Sequence, residues 1–384
     1  MFYLQGDVLT DGQLIRNQVI EIENEMITYI GDTIRNKGVD VITVENGYIC
    51  PGLVDIHIHG IDGVDFMDKG RDTWETITEH LPRYGVTACL ATSRTAPLPD
   101  IQDFLDRATA FTKKDHHGTR LIGVHVEGPW ISKSYCGAQD TSLIRSLTWQ
   151  DVKEVLSPYF SLISKLTIAP EEVQDPTILS YLHSQSIILS AGHTNATLEQ
   201  MEEAIESGIS QITHTFNAMS PIHHRTPGTA AAALYFDLLL CEVIADGVHL
   251  HPAIIQLLYK IKGAEGIALI SDCTGYNHLT EGEYVYRGRE LIRRGGEVRL
   301  KNGSLAGSAI TLVEAVSYVV KHCGIPIEEA IRMATEIPAR ATGTTMKIGR
   351  VQPNYRADFV VLTEDLEVNT TWIGGLQVYN VSGN

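Results

Sequence analysis

Two histidines two residues apart, His57 and His59, close an apolar run that reads as a short β-strand. At that spacing on a strand both side chains face the same side, so the pair can grip one metal ion. Glu127, His193 and His214 each close a later apolar run and form a second set of nitrogen and oxygen donors. Imidazole with carboxylate suits Zn2+ or Fe2+, with Mn2+ and Co2+ also fitting, better than Mg2+ or Ca2+, which favour all-oxygen sites. Asp272 closes the last run. A carboxylate beside a metal-activated water can accept its proton and later return it to a leaving group. Any one of these histidines alone would read as a hydrogen-bonded polar residue, and Asp272 alone as a helix N-cap. Arriving as a set at successive run ends, they point to a site for one or two divalent metals.

The elements needed to bring them together are legible as well. Short apolar runs recur at 53–57, 86–91, 121–126, 166–169, 187–191, 211–213, 238–245 and 267–271. Helical patterns lie between them, as at 100–114, 197–207 and 252–262. In the second of these, Thr197 and Gln200 make a capping box and Gly208 supplies the stop. Eight strand-then-helix repeats predict an α/β fold with a closed, TIM-type (β/α)8 barrel, and in such barrels chemistry sits at the C-terminal strand ends. Those ends carry, in order, His57 and His59, Thr92-Ser93, Glu127, Glu171, His193, His214, Asp246 with His249, and Asp272. No Rossmann glycine fingerprint follows the first strand. The two ends of the chain alternate apolar and polar residues over short stretches, and neither is large enough for a core of its own. The expected division is a small β-sandwich domain made from 1–48 and 346–384, around a barrel at 49–345.

Composition narrows the function classes. Lys and Arg number 30 against 47 Asp and Glu, a net charge of −17, which argues against nucleic acid or an anionic membrane as partner. An anionic substrate would need local positive charge or a metal. No apolar run is long enough to cross a membrane, and the first residues have no basic leader pattern. The six scattered cysteines form no CxxC pair and read as core thiols, consistent with a cytoplasmic protein.

Several motifs together carry a resemblance. PGLVDIHIH at 51–59 resembles the first-strand signature of the amidohydrolase superfamily. EGP at 127–129, AGHT at 191–194, HTFNAM at 214–219, ADGVH at 245–249 and LAGS at 305–308 are similar to those of its N-acetylglucosamine-6-phosphate deacetylases. The resemblance implies a metal-dependent hydrolase that removes the acetyl group of N-acetylglucosamine 6-phosphate, with the galacto epimer as the alternative substrate. It implies Glu127, His193 and His214 as ligands of the principal metal, Asp272 as acid and base, and a second metal at His57 and His59 bridged by Glu127. Ala138, Gln139, Asn217 and Ala218 would contact substrate, while Asp246, Gly247, Val248, His249, Leu305, Ala306 and Gly307 would line the sugar pocket. Arg225, with His223 or His224 beside it, would bind the phosphate, the arginine reaching in from the neighbouring subunit of a homodimer.

Two positions depart from that pattern. Gln139 stands where many members have His, and CTGY at 273–276 follows the aspartate. Three other functions fit the same residues less well. A cyclic amidase would need a carboxylated lysine at the fourth strand end, and Lys165 lies instead at that strand's beginning. The others are an aminoacylase and a non-catalytic scaffold.

Overall fold

The computed structural model describes residues 1–286 and 288–382. Eight parallel strands form one sheet in chain order: Leu53–Ile58, Val86–Thr92, Arg120–Glu127, Ile163–Ile168, Ile188–Ala191, Ile209–Ile212, Leu240–Ile244 and Ile267–Ile270. Just past strand eight, the Asp272 and His59 amides donate across the seam to the His57 and Cys273 carbonyls, both at 2.9 Å, closing the sheet towards a barrel. Every apolar run is a strand, with ends displaced by a few residues. The fourth begins early, at Ile163, because Ser164 and Lys165 interrupt the apolar pattern.

Alternation along the strands divides two interiors. Val124, Val126, Leu166, Ile168, Leu189 and Val243 face outward and pack under the surrounding helices. Inside, Val54, Ile56, Ala88, Leu90, Ala268 and Ile270 form an apolar cluster. Strands three to seven instead turn polar groups inward. His125 Nε2 meets Thr167 Oγ1 at 2.7 Å, and Thr167 and Ser190 both reach the Thr213 hydroxyl, at 2.7 and 2.6 Å. Helices follow each strand, and the capping box at Thr197 and Gln200 starts Leu198–Glu206. The helical segment after strand three is broken into short pieces.

Both chain ends meet in a second, seven-stranded sheet. Its central strand, Val41–Pro51, lies between Phe2–Thr10, parallel to it, and Phe359–Thr363, antiparallel. Arg350 joins this sheet to the barrel, with Nε 3.2 Å from Asp11 and Nη2 bonded to Glu336. Glu336 accepts a further hydrogen bond from Arg332 Nε at 3.0 Å. The sequence reading missed one element, a three-stranded antiparallel sheet (Gly282–Tyr286, Arg289–Arg294, Glu297–Leu300) inserted after strand eight. Its signal was present in Gly295-Gly296, both at positive φ between alternating segments.

Candidate active site

At the C-terminal mouth of the barrel, Glu127 stands between two groups of histidines. Its Oε1 lies 3.3 Å from His193 Nε2 and 3.2 Å from His214 Nε2, and 3.5 Å from His57 Nε2. Its Oε2 lies 3.5 Å from His59 Nε2. Asp272 Oδ1 faces the first-strand pair, 3.4 Å from His57 Nε2 and 3.2 Å from His59 Nε2. Two donor sets result, His57–His59–Glu127 and Glu127–His193–His214, all six groups with Asp272 being buried.

The tautomers suit a cation. Nδ1 of His57 faces Glu242 Oε2 at 3.1 Å, that of His59 the Thr92 carbonyl at 3.2 Å, and that of His193 the Tyr135 carbonyl at 2.9 Å. Each acceptor fixes the proton on Nδ1 and leaves the Nε2 lone pair turned inward, the outer-shell arrangement of metal-ligating histidines. His57 Nε2 is buried without a hydrogen-bond partner. His193 and His214 Nε2 approach to 3.0 Å, a contact a shared cation explains better than two facing lone pairs. The donor set therefore fits a metal.

Local backbone geometry turns these side chains to the axis. His193, His214 and Asp272 each follow a strand with φ of 48°, 32° and 48°, in the left-handed region that costs about 1–3 kcal/mol for a residue with a side chain. Burial pushes the Glu127 carboxyl up, but the His193 and His214 imidazoles set against it outweigh that and hold it well below the usual range. Burial likewise raises Asp272, and the neighbouring His57 and His59 imidazoles bring it below its ordinary value. Asp272 is thus a carboxylate at neutral pH.

Above this floor opens a cleft of about 380 Å3, within the usual size range of small-molecule sites. Ala138, Gln139, Asn217, Ala218, His249, Leu305, Ala306 and Gly307 line it. Asp246, Gly247 and Val248, expected there as well, do not line it. Asp246 Oδ2 holds His249 Nδ1 at 2.6 Å, and Oδ1 accepts the Val248 and His249 amides, which leaves His249 Nε2 for a ligand. Gln139 is turned to the metal centre, Nε2 donating to Glu127 Oε2 at 2.9 Å and Oε1 accepting the Thr95 amide at 3.2 Å. Arg225 is outside its own cleft, exposed beside His223 and His224, and it donates to His224 at 2.8 Å. Positive charge at the cleft comes instead from Arg94, Arg289 and Arg299, which sequence reasoning did not single out. The last two belong to the inserted sheet, and Arg289 donates to the Ala138 carbonyl at 3.3 Å.

Two further positions are settled by burial. Cys273 is enclosed, and burial pushes its thiol up to about 12, which makes it an inert structural residue. Lys165 is the third residue of strand four and bonds Glu242 across the barrel, beneath the centre. The place between the two histidine groups is taken by Glu127, so a bridging lysine has no position here.

Residues 48–378 match the model of the amidohydrolase family. The chain is 32% identical to the N-acetylglucosamine-6-phosphate deacetylase of Bacillus subtilis (strain 168), over 95% of this chain and 93% of that one. It is 33% identical to the N-acetylgalactosamine-6-phosphate deacetylase of Escherichia coli O157:H7, over 85% of this chain and 86% of the relative. A Mycobacterium smegmatis N-acetyl-D-glucosamine-6-phosphate deacetylase variant, solved in complex with N-acetyl-D-glucosamine-6-phosphate, superposes with a TM-score of 0.90 at 29% identity, covering 99% of both chains.

Proposed function

This chain belongs to the amidohydrolase family, and from that premise we propose that it deacetylates N-acetylglucosamine 6-phosphate to glucosamine 6-phosphate and acetate. The observation that carries this reading is the joint one of a two-set histidine–carboxylate centre and a sugar-sized cleft above it, in a chain alike to such deacetylases along nearly its whole length. Glu127, His193 and His214 would hold the principal divalent ion, zinc or ferrous iron by donor type, and His57 and His59 a second, with Glu127 shared. A metal bound there supplies Lewis acidity, polarising the acetamide carbonyl and lowering the pKa of water towards about 7.

The chain's own groups do the rest. Asp272 takes the proton of the attacking water, then delivers it to the amide nitrogen as the C–N bond breaks, since an amine departs readily only when protonated. Asn217 and Ala218 border the substrate on one side and Leu305 to Gly307 on another. His249, oriented by Asp246, presents Nε2 to the sugar's acetamido group.

Arg225 is proposed to complete the phosphate site of a second subunit. It shares an exposed loop with Ile222, which is 56% exposed, and the helix Pro252–Lys262 carries an exposed stripe of Ile254, Leu257 and Ile261. Exposed apolar residues aligned on one helix face are typical of protein interfaces, which supports a homodimer. No helix among the described residues is long and apolar enough to cross a membrane. The six free thiols suit a reducing compartment, which supports a cytoplasmic location.

Acetate release by metal-reconstituted protein from N-acetylglucosamine 6-phosphate, its galacto epimer and free N-acetylglucosamine tests the reading. The gluco phosphate should turn over fastest and the free sugar slowest by far. Faster turnover of the galacto epimer would transfer the assignment to that substrate, and equal turnover of the free sugar would remove the phosphate from it.

A further inference from the structure

Beneath the two donor sets lies a carboxylate that neither set uses as a ligand. Glu242, on strand seven, is fully buried. Its Oε2 lies 3.1 Å from His57 Nδ1 and 3.3 Å from the His214 main-chain amide, which donates to it. Its Oε1 accepts from Lys165, which is 1% exposed on strand four. Strands one, four and seven are not neighbours, so these contacts cross the barrel interior. One carboxylate therefore touches a residue of each half-site, the ring of His57 and the backbone of His214.

We propose that Glu242 is the positioning residue that makes the His57–His59–Glu127 half-site able to hold a metal, with Lys165 fixing Glu242 in place. An imidazole can offer Nε2 as a lone pair only while its proton resides on Nδ1, and at His57 the acceptor on that side is Glu242. Without it the His57 ring, buried on all sides, is free to take the other tautomer or to rotate, and either change withdraws the ligand. His193 and His59 depend on main-chain carbonyls for the same service, which no substitution removes. His57 alone of the three depends on a side chain. Lys165 holds the other carboxylate oxygen, so Glu242 keeps one rotamer.

The inference rests on the metal reading of the centre and not on the identity of the sugar. Its test is the titration of metal-free full-length protein with zinc alone, followed by calorimetry. Replacing both partners avoids stranding one buried charge. K165M/E242Q keeps an acceptor for His57 Nδ1, and K165M/E242L removes it. The wild type should take two zinc ions per subunit. The glutamine double variant should retain both. The leucine double variant should bind the second at least tenfold more weakly, within the 10–100-fold range typical of lost outer-shell partners. The first ion should be weakened less, because Glu242 reaches His214 only through its backbone.

A merely structural role for Glu242 would lower the melting temperature and leave the ratio of the two zinc affinities unmoved. A second dissociation constant in K165M/E242L within twofold of wild type would overturn the inference. Should the leucine variant fail to fold, K165M/E242N, whose shorter side chain falls short of His57, makes the same comparison with the same expected weakening. Wild type that saturates at one zinc also overturns this inference while the deacetylase reading stands, and wild type that binds none overturns the metal reading itself.

Discussion

His193, His214 and Asp272 leave their strands with left-handed φ angles, and that geometry sets what can be learned by replacing them. Asn tolerates the left-handed region almost as well as Asp, so D272N keeps the backbone while removing the proposed proton acceptor. Its kcat should fall by about 10²–10⁴ with acetamido substrate, while metal content and melting temperature stay near wild type. Loss of metal alongside activity would instead make Asp272 chiefly a ligand. The six side chains of the centre were legible in the sequence because each closes or follows an apolar run with a polar residue. The groups that support them were not. Glu242 sits inside an apolar run, where it breaks no boundary, and Lys165 precedes its run and reads as a strand start. Arg289 and Arg299 lie in the inserted sheet, with no local motif to mark them, and only the closed barrel brings them over the cleft.

At the level of elements, the parallel strands were readable because burial on both faces makes each a near-continuous apolar run. The ends were less so, since inward polar residues such as Lys165 and Thr213 blur them. The inserted sheet was missed because its strands are polar and part-exposed, with Arg and Glu at alternate places. The junction between the barrel and the seven-stranded sheet rests on Arg350, Glu336, Arg332 and Asp11. Burial pushes the Glu336 carboxyl up, but hydrogen bonds from Arg332 and Arg350 outweigh that and hold it below the ordinary range. A carboxyl depressed in the folded state adds stability that is complete above its unfolded value and is lost as pH falls through the folded one. E336Q should therefore cost about 1.5–3 kcal/mol at pH 7, the usual worth of hydrogen bonds to a charged group. The gap to wild type should hold constant down to about pH 5.5 and narrow below about 4.3, the ordinary glutamate value. Thermal unfolding of both proteins between pH 3.5 and 7 checks this, and a gap independent of pH would show that the ion pairs are not its source.

For the whole molecule, the acidic surface and the apolar stripe on the helix Pro252–Lys262 make opposite demands. A net charge of −17 keeps copies apart unless a specific apolar face joins them. Charging that face with L257E/I261E should yield monomers in sedimentation. If Arg225 serves the partner's cleft, the monomers should show a raised KM for the phosphorylated sugar, by tenfold or more. R225A should raise KM similarly with the dimer intact. Monomers with an unchanged KM would return phosphate binding to Arg289 and Arg299 of the same chain. The sheet built from both chain ends has a consequence during synthesis. Val41–Pro51 gains its partner Phe359–Thr363 only after about 300 further residues have been made, roughly 15–60 s at ribosomal speeds of about 5–20 residues per second. For that interval one edge of the nascent strand is unpaired, in the state that pairs most readily with neighbouring nascent chains on the same message. The rate of translation through the barrel thus sets how long every new copy is exposed to aggregation.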